Sequence, residues 1–385
     1  MKKIVHICMA QYSDGWTYQE NILAKYHKKA GYDVTVLTSM LCYKEGKLVE
    51  DDKEEFVDIN GVKVIRLPKK SKGFLGKVPS YEGFFEALED ISPDIIFSHA
   101  CQYKDTVNVI KYIKKHKNVE LYVDNHGDFT NSARSFISLH VLHKIIWKYY
   151  AKKLVKYTNV FWGVLPARVD FLTDVYGLPK DKCKLLVMGA DDEFVEKSAN
   201  EEAIGKLREK YGVKNDDFLI VTGGKIDKAK IQTKYLIEAV SKISRDKIKL
   251  LIFGSIEKEI EKEVMEYVDG VRTIYAGWIK PEQSYDYFAA ADLVVFPGRH
   301  SVFWEQAAGQ GKPMICKSWD GTRHVDVGGN VLFLEDTGTD SLKKAIEALV
   351  DDTAGFEKMK KVAEDKGMKT FSYQRIAEKA IKKPN

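Results

Sequence analysis

The feature that most constrains the fold of this chain is a repeated alternation of short, apolar, β-rich runs with amphipathic helical stretches. The first forty residues carry one full cycle. KIVHICM is followed by a break at YSDGW, then by TYQENILAKYHKKAG with Ile22, Leu23 and Tyr26 at helical spacing, then by YDVTVLTS after Gly31. Strand, helix and strand in that order predict a parallel sheet, because parallel neighbours need a long crossover between them. Further strands are expected at VKVIRL, PDIIFSHA, VELYVDNH and NVFWGVL. The charged stretch from GADDEFVEKS to YGVKNDD reads as a turn-rich linker. A second series then begins, with FLIVTGG, IKLLIFGS, VRTIYAG, LVVFPG, KPMICKS and NVLFLED separated by helical segments such as TKYLIEAVSKI and DSLKKAIEALV. With 385 residues, the chain exceeds what one ordinary core supports. The expected architecture is α/β, with two doubly wound domains around a central linker. In such sheets ligands sit beyond the carboxyl ends of the strands, near the point where strand order reverses.

Composition closes off other classes. Charged residues make up 30% and hydrophobic residues 44%, a soluble globular balance. No apolar run reaches about 18 residues, so no spanning helix is expected. MKKIVHICMA reads as a first strand and not as a signal peptide. The five cysteines (Cys8, Cys42, Cys101, Cys183, Cys316) lack C-x-x-C spacing, which argues for free thiols in a reducing compartment and against a zinc site. A net charge of +5 is mild, and no nucleic-acid motif accompanies it. The basic segment KKSKGFLGK, residues 69–77, reads as a surface loop, and no repeat or low-complexity tract occurs.

Three clusters could carry chemistry. The first is FPGRHSVFWEQAAGQGKPMI, residues 296–315, where a buried strand ends in a loop holding Arg299 and His300 and a short helix carries Glu305. A strand-to-helix turn exposes unpaired N–H groups, here of Ser301 and Val302, and with the helix dipole makes an anion site. Glu305 lies four residues after Ser301, about one turn deeper. That pattern suits a nucleoside diphosphate whose ribose hydroxyls donate to Glu305. The structural alternative is a helix cap, but a capping box wants Ser or Thr where Val302 stands. The second cluster is VTGGKIDKAKIQTKYL, where Gly223 and Gly224 allow close backbone approach and Lys225, Lys228 and Lys230 could neutralise phosphate charge. Walker spacing is absent, and a plain solvated Gly-Lys turn is the bland reading. The third is LYVDNHGDFT, which places Asp124, Asn125, His126 and Asp128 around Gly127 at a strand end. A histidine between acids there could bind a hydroxyl or move a proton; a structural polar loop is the counter-reading.

Two absences decide something as well. No Asp-x-Asp triplet occurs, and the first strand-helix turn, CMAQYSDGW, lacks G-x-G-x-x-G, which argues against a nicotinamide-binding enzyme. The stretch 134–157 carries Lys144, Lys148, Lys152 and Lys156 at i,i+4 spacing beside Ile145, Ile146, Trp147, Tyr149 and Tyr150. Such a helix could lie on an anionic membrane, but packing its apolar face on the first domain's sheet is the preferred reading.

These clusters, in this order and across two α/β domains, resemble the glycosyltransferase family 4-like enzymes (glycosyl transferases group 1) of the GT-B superfamily. The resemblance covers nearly the whole chain and is strongest in the second half. It implies two doubly wound Rossmann-like domains facing a cleft. The implied division is an acceptor-side domain over 1–192, a nucleotide-sugar-binding domain over 193–370, and a terminal helix over 371–385 that crosses back. Gly224, Lys225 and Lys230 keep the spacing of the family's Gly-Arg-x4-Lys segment, with Lys in place of Arg. Trp278 or Ile279 would lie near the nucleotide base. WEQAAGQGKPMI resembles the family's E-A-x-x-x-G-x-P-V segment with one extra residue, Gln306, after the acid, and the resemblance implies that Glu305 corresponds to the ribose-binding acid. GAD at Gly189–Asp191 resembles the close of the first domain, and FSYQRIAEKAI the terminal helix.

Two departures stand out. The family's Glu-x7-Glu motif would put its first acid at Pro297, so that acid is missing, and Arg299 or His300 would take over part of its task. Asp14-Gly15 stands where a Gly-Gly pair near the diphosphate is usual. The resemblance implies a retaining glycosyltransferase that needs no cofactor or metal, takes a UDP- or GDP-linked sugar as co-substrate, and acts on a glycan or lipid-linked acceptor. Catalytic roles would fall to Lys225, Lys230 and His126, with His126 orienting a hydroxyl. Donor contacts would come from Gly15, Gly224, Trp278, Ile279, Arg299, His300, Ser301, Val302 and Glu305. The implied location is cytoplasmic, and peripheral at the inner membrane face only under the less favoured membrane reading of 134–157. Two other readings remain open: a GT-B-like nucleotide-sugar epimerase, and a non-catalytic partner subunit that binds a glycan or nucleotide.

Overall fold

The computed structural model describes residues 1–44, 46–73 and 76–383. It divides into two compact units, residues 1–187 with 376–385 and residues 188–375, so the breaks fall five residues from the expected 192/193 and 370/371.

Among the described residues, the first unit is built on an eight-stranded sheet. Its strands in chain order are β1 (Lys3–Cys8), β2 (Asp33–Ser39), β3 (Glu55–Val57), β4 (Lys63–Leu67), β5 (Ile95–His99), β6 (Glu120–Asn125), β7 (Thr158–Gly163) and β8 (Cys183–Leu185). They are arranged β8-β7-β6-β5-β1-β2-β4-β3, parallel except for the edge pair β3–β4. Strand order reverses beside β1, because β2 lies on one side and β5 on the other. β1, β5 and β6 are almost wholly buried, as strands covered on both faces must be. Helix Gln19–Lys29 makes the first crossover.

The second unit has six parallel strands: β9 (Phe218–Gly223), β10 (Ile248–Phe253), β11 (Thr273–Gly277), β12 (Leu293–Phe296), β13 (Met314–Lys317) and β14 (Val331–Leu334). Their order is β11-β10-β9-β12-β13-β14, so the reversal falls between β9 and β12. Its core gathers Ile220, Leu236, Ile252, Val295, Ile315, Leu342 and Ile346 from strands and covering helices.

Three expectations need correction or refinement. The stretch expected to be a turn-rich linker holds two helices, Asp192–Ser198 and Glu201–Lys210. Asp191 and Asn200 cap them by accepting from the N–H groups of Glu193 and Ala203, so charge there marks solvated helix faces closed by good caps. In the basic segment 69–77, Lys69–Ser71 forms a short exposed strand paired with Ser80–Tyr81, while residues 74–75 lie outside the described residues. The stretch 134–157 contains a π-helical segment, Ser138–Trp147, that runs into the α-helix Lys148–Leu154. Leu142, Trp147, Ala151 and Leu154 enter the first unit's core. Ile145, Tyr149, Phe136 and Ile137 remain exposed. Among the described residues no helix is long and apolar enough to cross a membrane.

Candidate functional site

In the second unit, a glycine stands at or one residue past the end of three neighbouring strands. Gly224, Gly254 and Gly277, which close β9, β10 and β11, have φ of 121°, 120° and 81°. Their backbones are stitched together: Gly224 N–H donates to the Phe253 carbonyl at 3.0 Å, and Gly254 N–H to the Gly277 carbonyl at 2.8 Å. A Cβ at Gly254 would stand 1.9 Å from the Gly224 oxygen, so the terrace exists only without side chains. Trp278, 68% exposed, and the half-buried Ile279 follow directly at its outer end.

At the inner end, where strand order reverses, Lys230 reaches back over Gly224. Its Nζ lies 3.9 Å from where a Gly224 Cβ would be, and the Phe303 ring 3.5 Å. Burial lowers the pKa of Lys230; Asp227 opposes that shift and Lys225 adds to it. Among the described residues Lys230 has no ion pair. Lys225 is exposed and paired to Glu257 at 3.2 Å and Asp227 at 3.8 Å. Gln232 Oε1 stands 3.3 Å from where a Gly298 Cβ would be and has no hydrogen-bond partner among the described residues.

Phe303 belongs to the short helix Phe303–Gly309, which also carries Glu305. Val302 is its N-cap and offers no side-chain bond, so capping does not explain Glu305. Glu305 is completely buried, and its Oε1 receives Nε2 of His300 and of His324, each at 2.8 Å. Burial alone would raise its pKa; the two imidazoles outweigh that and hold the carboxyl well below the usual range. Oε2 and His324 Nδ1 have no partner among the described residues. A buried, ionised carboxylate with one unpaired oxygen is expensive unless a donor meets it. Arg299 and Val302 are exposed and Ser301 half-buried on the same turn.

The remaining expected residues, Gly15 and His126, lie in the first unit. Gly15 has φ of 73° in the loop after β1, beside Asp14, whose Oδ1 accepts from Ile59 N–H at 2.9 Å. His126 follows β6, its side chain 38% exposed but its Nε2 buried 3.3 Å from Asp124 Oδ2. Burial pulls the His126 pKa down, and Asp124 more than reverses that, so it is raised. Asn125 and Asp128 build the loop itself. Asn125 accepts from Gln102 and Gly127, and Asp128 from the Thr130 and Asn131 N–H groups and Arg168 Nε.

Two triads, His99/Asp124/His126 and His300/Glu305/His324, hold their possible ligand atoms within 4.8 Å of one another. In both, the imidazoles already face the carboxylate at hydrogen-bond or ion-pair distance. His324 and His99 escaped sequence reading. Each is a lone histidine without a motif, brought to its carboxylate by a separate loop or strand.

Residues 217–352 match the family described as Glycosyl transferases group 1. An uncharacterized glycosyltransferase of Methanocaldococcus jannaschii is 26% identical over 217 residues, covering 54% of this chain and 55% of that relative, so the match spans about half of either protein. A glycosyltransferase from Rickettsia africae has a similar structure, with TM-score 0.70, 17% identity, and coverage of 98% of this chain and 96% of that one. HepE of Anabaena, solved in complex with UDP, has TM-score 0.67, 16% identity and 98% coverage of both chains. Such low identities speak to the fold, two Rossmann-like domains of the GT-B kind. The stretch that is similar to the glycosyl transferases group 1 family, residues 217–352, is the one whose strands and helix carry Gly224, Lys230 and Glu305.

Proposed function

We propose that the protein is a retaining glycosyltransferase. It moves a sugar from a UDP- or GDP-linked donor to a glycan or lipid-linked glycan in the synthesis of a cell-surface polysaccharide or glycoconjugate. The observation that carries this reading is Glu305, a buried and ionised carboxylate with one unpartnered oxygen, sharing its helix with the Phe303 that packs over Gly224 beside Lys230. An acceptor of that kind at a strand-order reversal suits ribose hydroxyls. The glycine terrace spans two strand spacings, roughly 10 Å. That is enough to put a base at Trp278 and Ile279 and the diphosphate at Lys230 and the Ser301–Val302 N–H groups.

In the proposed reaction the bond from the anomeric carbon to the leaving phosphate oxygen breaks. The acceptor oxygen bonds to the same face, and its proton passes to the leaving phosphate. Negative charge grows on that phosphate, where Lys230, and Lys225 once released from Glu257, would stabilise it. The sequence has no Asp-x-Asp to hold a metal–nucleotide complex, and the reaction is proposed to run without one. Arg299 and His300 would face the donor sugar in place of the absent first acid, and Gly15 and His126 would serve from the first unit. The exposed Phe136, Ile137, Ile145 and Tyr149, with Lys144, Lys152 and Lys153 alongside, would rest on an anionic membrane face.

Calorimetric titration with UDP, GDP, ADP and their sugar conjugates, with and without magnesium, tests the reading. Metal-independent binding of one nucleotide, followed by transfer to an acceptor, is expected. Failure to bind any would favour a non-catalytic subunit, and conversion of the nucleotide sugar without an acceptor would favour an epimerase.

A further inference from the structure

The first unit contains a buried row of three histidines between two groups that only accept. His27 Nε2 faces the Ala377 carbonyl at 2.8 Å, and its Nδ1 faces His6 Nε2 at 2.9 Å. His6 Nδ1 faces His99 Nε2 at 2.9 Å, and His99 Nδ1 faces Asp124 Oδ2 at 2.8 Å. All four side chains are buried: His6 0%, His27 1%, His99 8% and Asp124 0% exposed. The row crosses the strand reversal, from His6 in β1 to His99 at the end of β5 and Asp124 in β6.

Proton counting constrains this row without reference to titration. Four contacts at hydrogen-bond distance need four protons. A carbonyl supplies none and an ionised carboxylate none, while three neutral imidazoles carry one each, so the row is one proton short. The Ala377 carbonyl forces His27 to donate through Nε2. That makes His27 Nδ1 an acceptor, so His6 donates through Nε2, and by the same step so does His99. His99 Nδ1 and Asp124 Oδ2 are then two acceptors facing each other at 2.8 Å. The fourth proton must lie between them.

Its owner follows from intrinsic basicity. An imidazole outcompetes a carboxylate by about 2.6 pH units in water. His126 Nε2, 3.3 Å from the same Oδ2, further favours the ionised acid. We propose that His99 holds this proton as an imidazolium at neutral pH, which keeps Asp124 ionised and makes Asp124 the positioning residue for His126. The ionisable surroundings agree. The Cys8 and Cys101 thiols near Asp124 are pushed up by burial, Cys101 to about 12, so neither adds charge; at His126, Glu20 acts with Asp124 and Arg168 acts against them, with the two acids prevailing. Burial holds the pKa of His6 well down, and that of His27 down to about 4, so the added proton belongs at the Asp124 end. Phe97 packs on both His6 and His99. Ala100, next after His99, holds φ of 116°, a conformation a non-glycine residue adopts only under constraint.

The positioning role rests on reading His126 as the group that orients a hydroxyl; the proton count does not. The test is nitrogen-15 NMR of the full chain with labelled histidine at pH 8, where a free imidazole is almost wholly neutral. One ring should show both nitrogens protonated. That signal should survive His126→Gln, disappear in His99→Gln, and disappear in the near-isosteric Asp124→Asn, whose amide can donate to a neutral His99. His6→Gln should keep it, since the side-chain oxygen accepts from His99 and the amide donates to His27. A neutral His99 in the otherwise native protein would overturn the proposal. So would one equivalent of bound zinc whose removal by chelator restores titration of His99, because a cation between Nδ1 and Oδ2 satisfies the same count. For positioning, Asp124→Asn should lower the pH at which His126 titrates and cut kcat at least tenfold at unchanged nucleotide affinity. An unmoved His126 titration would remove Asp124 from that role. Wild-type protein that transfers no sugar would sink the enzyme reading and leave the NMR result intact.

Discussion

Glu305 and Lys230 make the sharpest demands at the residue scale. Glu305→Gln keeps the volume but loses the charge that both imidazoles hold, so it should weaken nucleotide binding at least tenfold, about 1.4 kcal/mol. Lys230→Met should do the same by removing a cation already partly desolvated over Gly224. Titration calorimetry checks both, and unchanged affinity in the pair would remove this site from donor binding. Acid sensitivity is written into two other residues. Burial depresses the pKa of His27 and of His143 from 6.5 to about 4, so below 6.5 the unfolded chain binds protons that the folded chain refuses. Stability should therefore be intact above pH 6.5 and fall as pH drops toward 4, by up to about 3 kcal/mol per histidine. Urea midpoints at pH 7, 5.5 and 4.5 would show it; a flat series would contradict the burial of these rings. Ala100→Gly should raise stability by about 1 kcal/mol by releasing its left-handed backbone, read as a higher melting temperature.

Among elements, the strand ends matter most. Gly254 cannot carry a Cβ without displacing the Gly224 carbonyl, so Gly254→Ala should disturb the terrace that links β9, β10 and β11. We expect it to cost about 1–3 kcal/mol of stability and to weaken nucleotide binding more than a substitution at the open Gly212 would. Comparing the two variants by calorimetry and thermal unfolding separates a local steric effect from a general loss of glycine. These strand-ending glycines were legible as punctuation in VTGG, IFGS and YAGW. Their mutual hydrogen bonding was not, since it depends on the register of neighbouring strands. The same limit explains the helices mistaken for linker. Their charge density resembles a loop until Asp191 and Asn200 are seen capping them.

At the scale of the whole molecule, the chain returns to its starting unit. Residues 376–383 pack with the first unit, where Trp162 Nε1 donates to the Ala380 carbonyl at 2.9 Å and His27 to Ala377, and where Ile376, Ala377 and Ala380 are buried. Ending the chain after Arg375 should lower the unfolding temperature of the first unit by several degrees and leave nucleotide binding by the second in place. Differential scanning calorimetry with and without the nucleotide would read both. The alternation of apolar runs and amphipathic helices was enough to establish two doubly wound α/β domains, because burial on both faces and the crossover requirement act locally and repeat. The candidate roles of Gly224, Lys230 and Glu305 were legible for a similar reason, as each sits within a few residues of a strand end. His324 beside Glu305, and His6, His27, His99 and the Ala377 carbonyl in one row with Asp124, were not. Those partners come from segments up to 350 residues apart, and no local spacing encodes them. Only the folded sheets, which set strand order and register, decide which acceptor faces which imidazole and so where a proton must reside.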